Sequence, residues 1–158
     1  MNSKIKDLMD MQLNKELEAA YLYLEFSNFF DSRNLDGYAN YYKVQAKEEI
    51  GHALRFYKFL HDNKQRVNLM VIHSPNIELN NIEDVLEAGI RIERDITRMI
   101  NTIYEISVES KDYASKEFIE WFIDEQFFEE KDAQNMINDY MLYKNNLYEL
   151  NKKYSERK

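Results

Sequence analysis

Glu49 and His52 stand three residues apart, and Glu49 lies where the buried face of a helix should carry an apolar side chain. Residues at i and i+3 share one face of a helix, so this carboxylate and imidazole can grip one cation or two adjacent ones. Three other long helical stretches carry the same kind of inward carboxylate, at Glu16, Glu93 and Glu129. A buried carboxylate without a partner is costly, so four of them in one core ask for compensating cations, as in a two-metal site inside a helical bundle. Carboxylate oxygens with an imidazole suit Fe(II) or Mn(II) better than copper or a closed structural zinc. Four carboxylates are neutralised by two ferrous ions. Oxidation to the ferric state adds two positive charges, which one doubly charged oxygen anion can balance, so both oxidation states fit the same core. Tyr23, seven residues after Glu16 on nearly the same face, is placed to donate a hydrogen bond to a ligand or to supply an electron.

Long amphipathic helices must position these residues. With 3 Gly and 1 Pro in 158 residues, turns and sheet edges have little raw material, while 44% hydrophobic and 32% charged residues fit amphipathic helices. The length suits one domain over 1–158. The first helix is expected from Lys4 to Phe30, with an inward face of Ile5, Leu8, Met9, Leu13, Leu17, Ala20, Leu24 and Ser27 at spacings of three and four. The polar break Asp31–Gly37 leads into a second helix ending at Asn63, with Tyr38, Tyr42, Gln45, Glu49, His52, Ala53, Phe56 and Leu60 inward. Residues 65–80 hold the only β-favouring run, Val67–Ile72, and the only proline. A loop this long reads as a crossover that lets helices two and three lie parallel. Asn81 and Asp84 resemble a capping box opening a third helix to Ser110, with Leu86, Gly89, Ile90, Glu93, Ile96, Ile100 and Ile103 in line. A fourth helix aligns Phe118, Phe122, Gln126, Glu129, Ala133, Met136 and Tyr140, and Leu147–Tyr154 is a short fifth. The architecture expected is an all-α four-helix bundle with one long crossover and a C-terminal helix. In it the four inward glutamates fall at one level near mid-helix.

Other chemistries are poorly served. There are no cysteines for disulfides or thiolate sites, no phosphate-binding glycine loop and no basic patch. The net charge of −8 (21 basic, 29 acidic) argues against nucleic acid and favours cations. No apolar run approaches a membrane span and Met1–Gln12 lacks a signal-peptide core, so a cytoplasmic location is expected.

Taken together, Asn14–Tyr23, Ala46–His52, Arg91–Arg94 and Trp121–Lys131 resemble the bacterial non-haem ferritins over essentially the whole chain. The resemblance implies a ferroxidase centre in which Glu16, Glu49 and His52 hold a first iron. Glu93 and Glu129 hold a second, Glu49 bridges, Gln126 lies near the second iron or its oxygen, and Tyr23 lies beside the first. It further implies oxidation of Fe(II) by oxygen or hydrogen peroxide and storage of ferric mineral in a hollow homo-oligomeric shell of 24 subunits. No haem, membrane or nucleic acid is implied, and the fifth helix matches the family's helix at the four-fold axis. A weaker third iron position would use Glu48, Glu125 and Glu129 with another glutamate, but Phe128 stands in that last place, so the third position is expected to be weak or absent. Asp132 stands where a second Glu-x-x-His would put histidine, unlike a bacterioferritin or a rubrerythrin. Two other readings stay open: a di-iron oxidase or oxygenase acting on a small organic substrate, and a metal-free structural helical bundle.

Overall fold

The computed structural model describes residues 1–158. Five helices and no strand make up the chain: α1 (Ser3–Asp31), α2 (Asp36–Asp62), α3 (Ile82–Glu109), α4 (Tyr113–Tyr143) and α5 (Leu147–Tyr154), with a 3₁₀ turn at Lys144–Asn146 before α5. Side-chain caps fix three starts, where Asn2, Asn81 and Asp112 accept from the backbone N–H groups of Ile5, Asp84 and Ser115. Asp84 completes its box by accepting from the N–H of Asn80 at 2.9 Å, one residue before the cap.

The ends of α1, α2 and α3 share one device. Asn34, Lys64 and Lys111 each adopt positive φ of 57–59°. The N–H of the following residue reaches back to Phe30, Leu60 and Ser107 respectively. This is the closing pattern that glycine usually provides, here built from asparagine and lysine in a glycine-poor chain.

Contacts along the helices fix their directions. Ser27 donates to the Ala39 carbonyl and Glu16 lies beside Glu49 across α1 and α2, Tyr23 meets Glu93 and Asn2 donates to Ser110 Oγ across α1 and α3, and Gln45 meets Glu129 across α2 and α4. Both α2 and α3 therefore run against α1 and lie parallel to each other, which is what the long connection makes possible. That connection is tethered to α1: Asn14 donates to the Asn68 carbonyl and accepts from the Met70 N–H, both at 2.8 Å, and Asp10 accepts from the Asn68 N–H. Val67–Ile72 forms no strand, since no second run of its kind exists for it to pair with.

The inward faces expected on α2 and α3 are buried throughout. On α1 Ile5, Met9, Leu13, Ala20 and Ser27 are buried as expected. Leu24 is 47% exposed and Leu17 half-buried, while Gln12, Glu16, Ala19, Tyr23, Phe26 and Phe30 face in. Leu24 alone falls on the wrong side, and polar residues take part in this face at mid-helix. Phe118 on α4 is likewise only half-buried, its ring stacked on Phe59 at 4.0 Å.

The helix α5 docks on the N-terminus of α2. Leu35 offers α2 no side-chain cap; instead Asn151 Oδ1 accepts from the backbone N–H groups of Gly37 at 2.8 Å and Tyr38 at 3.2 Å. A Cβ at position 37 would lie 1.7 Å from the Asn151 carbonyl oxygen. Only glycine permits this approach.

Candidate metal centre

One polar layer crosses the bundle between two aromatic layers. On one side Phe56 stacks on Phe122 at 4.4 Å, with Phe118 edge-on to both. On the other, Tyr23, Phe26, Phe30 and Tyr42 pack ring against ring. The layer between them carries Glu16, Glu49, His52, Glu93, Gln126 and Glu129, none more than 7% exposed.

Its ligand atoms fall into two overlapping sets. Atoms of Glu16, Glu49 and His52 lie within 4.8 Å of one another, and so do atoms of Glu49, Glu93 and Glu129. Glu49 is common to both. The His52 Nδ1 sits 3.0 Å from Glu49 Oε2. Gln126 donates to Glu93 Oε2 at 3.1 Å and also lies within hydrogen-bond distance of Thr97 Oγ1. Tyr23 donates its hydroxyl to Glu93, not to Glu16.

Two glutamines that the sequence reading passed over as supports hold the carboxylates. Gln12 donates to Glu16 at 2.7 Å, and Gln45 donates to Glu49 at 3.0 Å and to Glu129 at 2.8 Å. The signal was present: a glutamine stands one helical turn before an inward glutamate on both α1 and α2, where side chains four apart meet.

Burial and mutual repulsion dominate the electrostatics. Burial, then the charge of Glu49, pushes the Glu16 carboxyl well above its ordinary range. Burial and Glu49 raise Glu93 to about 8 against the hydrogen bonds from Tyr23 and Gln126. Burial, Glu93 and Glu49 raise Glu129 to about 8 as well. Burial lowers His52, but the hydrogen bond and charge of Glu49 outweigh it, and the net direction is up. Glu16 Oε2 is buried with no hydrogen-bond partner. A carboxylate oxygen left bare among three other acids is a poor arrangement for protein groups alone and a good one for a cation.

The remaining predicted residues lie at the edge of this layer. Glu125 is half-buried and shares a third set of ligand atoms with His52 and Glu129, again within 4.8 Å. Glu48 is half-buried and paired with Arg157. Phe128 is 55% exposed. Trp121 lies edge-on to His52 at 5.7 Å, with the Arg55 guanidinium 3.6 Å from its ring centroid.

Comparison with known proteins gives the family of the bundle. The family model for the ferritin-like domain matches residues 6–142. The chain belongs to the ferritin family. A bacterial non-haem ferritin of Staphylococcus haemolyticus is 34% identical over 139 residues, 86% of this chain and 83% of that one. Its counterpart in Staphylococcus saprophyticus is 33% identical over 130 residues, 82% of this chain and 78% of that one. Among solved structures, an open-pore ferritin from the archaeon Archaeoglobus fulgidus superposes with a TM-score of 0.96 at 30% identity, covering 100% of this chain and 98% of that one. A humanized archaeal ferritin gives the same score and identity, covering 100% and 99%. No helix of this ferritin-family chain is long and apolar enough to cross a membrane.

Proposed function

We propose that this protein stores iron: each chain oxidises Fe(II) at the buried centre, and a homo-oligomeric shell, of 24 subunits as the family resemblance implies, holds the ferric product. The observation that carries the reading is Glu49. Its carboxylate belongs to both ligand sets, so it can bridge two ions, with Glu16 and His52 on one side and Glu93 and Glu129 on the other. Two Fe(II) ions each lose one electron. Dioxygen takes both, with two protons, to become hydrogen peroxide; hydrogen peroxide takes both, with two protons, to become two waters.

The protein's part is to hold the two ions at a fixed separation in a dry layer and to balance their charge. Gln45 and Gln12 orient the carboxylates, and Tyr23 and Gln126 steady Glu93. The bridging role of Glu49, the place of Gln126 beside the second ion and the contribution of Tyr23 are part of this proposal.

The oxygenase alternative needs room for an organic substrate. The cavity bordered by Tyr23, Gln45, Glu93 and Glu129 measures about 10 Å³, room for at most one water. The metal-free bundle leaves Glu16 Oε2 without a reason. Both are weaker than storage.

The test is aerobic addition of Fe(II) followed by size-exclusion chromatography with iron detection. A large particle carrying hundreds of irons is expected; two irons per chain on a small oligomer would refute storage. Glu49→Ala should assemble normally yet oxidise Fe(II) at least about tenfold more slowly, a barrier increase of about 1.4 kcal/mol, measured by the appearance of ferric absorbance.

A further inference from the structure

Four tyrosines form a continuous row that starts at the metal centre and ends on the C-terminal helix. Tyr23 touches the centre through its hydrogen bond to Glu93. Its ring stacks on Tyr42 at 5.8 Å, Tyr42 meets Tyr41 edge-on at 5.3 Å, and Tyr41 meets Tyr154 of α5 edge-on at 5.4 Å.

The members of this row are not equivalent. A phenol gives up an electron readily only when a nearby base takes its proton. Tyr42 has no such base: its buried hydroxyl donates to the Met136 sulfur at 3.9 Å, a weak acceptor. Tyr41 lies under the Arg157 guanidinium, 4.2 Å from its ring centroid, and a fixed positive charge so near opposes a second one on the ring. Tyr154 is furnished differently. Its hydroxyl donates to Asp139 Oδ2 at 2.6 Å, and Lys153 pairs with the same oxygen. Burial raises the Asp139 carboxyl, but the hydrogen bonds of Lys153 and Tyr154 outweigh it and hold it below its ordinary value. Asp139 therefore stands ionised, ready to accept a proton. Lys153 is 5.6 Å from the Tyr154 ring, and its charge is neutralised by that same carboxylate. Tyr154 and Asp139 also border a cavity of about 330 Å³, which leaves room for a reductant to approach.

We propose that Tyr154 is a reserve electron donor for the buried centre, coupled to it through the rings of Tyr41, Tyr42 and Tyr23. It acts when hydrogen peroxide meets a centre holding one Fe(II) instead of two. Peroxide needs two electrons, and the single ion supplies one. Tyr154 supplies the other and passes its proton to Asp139, while two protons from solvent go to the peroxide oxygens. Hydrogen peroxide, Fe(II), the Tyr154–Asp139 pair and two protons thus give Fe(III), a tyrosyl radical, a protonated Asp139 and two waters. Without this donor the same encounter yields hydroxide and a hydroxyl radical beside the buried carboxylates. A later Fe(II) supplies an electron, Asp139 returns the proton, and the tyrosine is restored. The proposal rests on reading the centre as the place where Fe(II) is oxidised.

The experiment mixes the assembled full-length protein, anaerobic and loaded with one Fe(II) per chain, with hydrogen peroxide and freezes it rapidly for electron paramagnetic resonance. A parallel sample carries a spin trap for hydroxyl radical. Wild type is expected to show a tyrosyl radical and little trapped hydroxyl radical. Loading two Fe(II) per chain should abolish the tyrosyl signal, since peroxide then draws both electrons from iron. Tyr154→Phe, which keeps the ring, and Asp139→Asn, which removes the base, should lose the tyrosyl radical and gain the trap signal. Tyr41→Leu should do the same by breaking the row, whereas Tyr41→Phe should behave as wild type. A wild type without a tyrosyl radical overturns the inference. So does an unchanged radical spectrum in Tyr154→Phe, which would place the radical on Tyr23 or elsewhere; both results leave the centre standing. If wild type with two Fe(II) per chain leaves the peroxide unconsumed, the reading of the centre itself fails and the inference falls with it.

Discussion

Glu93 and Glu129 are each held up to about 8 in the folded protein, whereas in the unfolded chain they titrate near the ordinary glutamate value of about 4.3. Between those values the folded state binds more protons than the unfolded state. Unfolding free energy therefore falls as pH rises through that window and levels off above it. Protein kept free of metal by a chelator should show its melting temperature dropping from pH 5 to pH 8, and Glu93→Gln should shallow that slope. A divalent cation replaces the protons, so its stabilising effect should be larger at pH 8 than at pH 5; an equal effect at both would show that these carboxyls do not ligate. The inward carboxylates were legible because each breaks an apolar pattern on a long helix. Their supports were less so. Gln12 and Gln45 are inconspicuous on a helix, and only the carboxylates one turn on give them meaning.

At the scale of the element, α2 borrows its N-terminal cap from α5. Asn151→Ala removes the acceptor for two backbone N–H groups and should lower stability by about 1 kcal/mol, measured by urea denaturation. Asn151→Asp, which keeps the acceptor oxygen, should lose less; equal losses would mean that packing rather than capping holds α5. The periodicities of α2 and α3 were readable because their inward faces are apolar or aromatic except at Gln45, Glu49, His52 and Glu93. On α1 Glu16 and Ser27 point in as expected, but Leu24 points outward and the inward Gln12 was passed over. Hydrophobic spacing locates a buried face only where that face is hydrophobic. The docking of α5 against Gly37 had no local signal at all: it joins residues more than a hundred positions apart.

At the scale of the whole molecule, large apolar side chains remain on the outside, among them Leu54 at 59%, Val71 at 78% and Phe127 at 66% exposed. Exposed apolar surface of this kind is what subunit contacts cover. A Leu54→Glu, Val71→Glu variant should keep its helical circular-dichroism signal and elute as a smaller particle in size-exclusion chromatography; unchanged size would place the contacts elsewhere. Arg157, in contrast, was invisible to sequence reading, because a lone arginine near a terminus carries no pattern. The tethered crossover has a further consequence. It divides the chain into two hairpins, and neither owns the centre: Glu16, Glu49 and His52 lie before it, Glu93, Gln126 and Glu129 after it. A chain nicked beside Val71 would be a heterodimer whose two fragments share a buried salt. Divalent ions would then serve as a reversible clasp, closing the fragments in zinc and loosening them in chelator, and the protein could be used as a metal-gated split reporter.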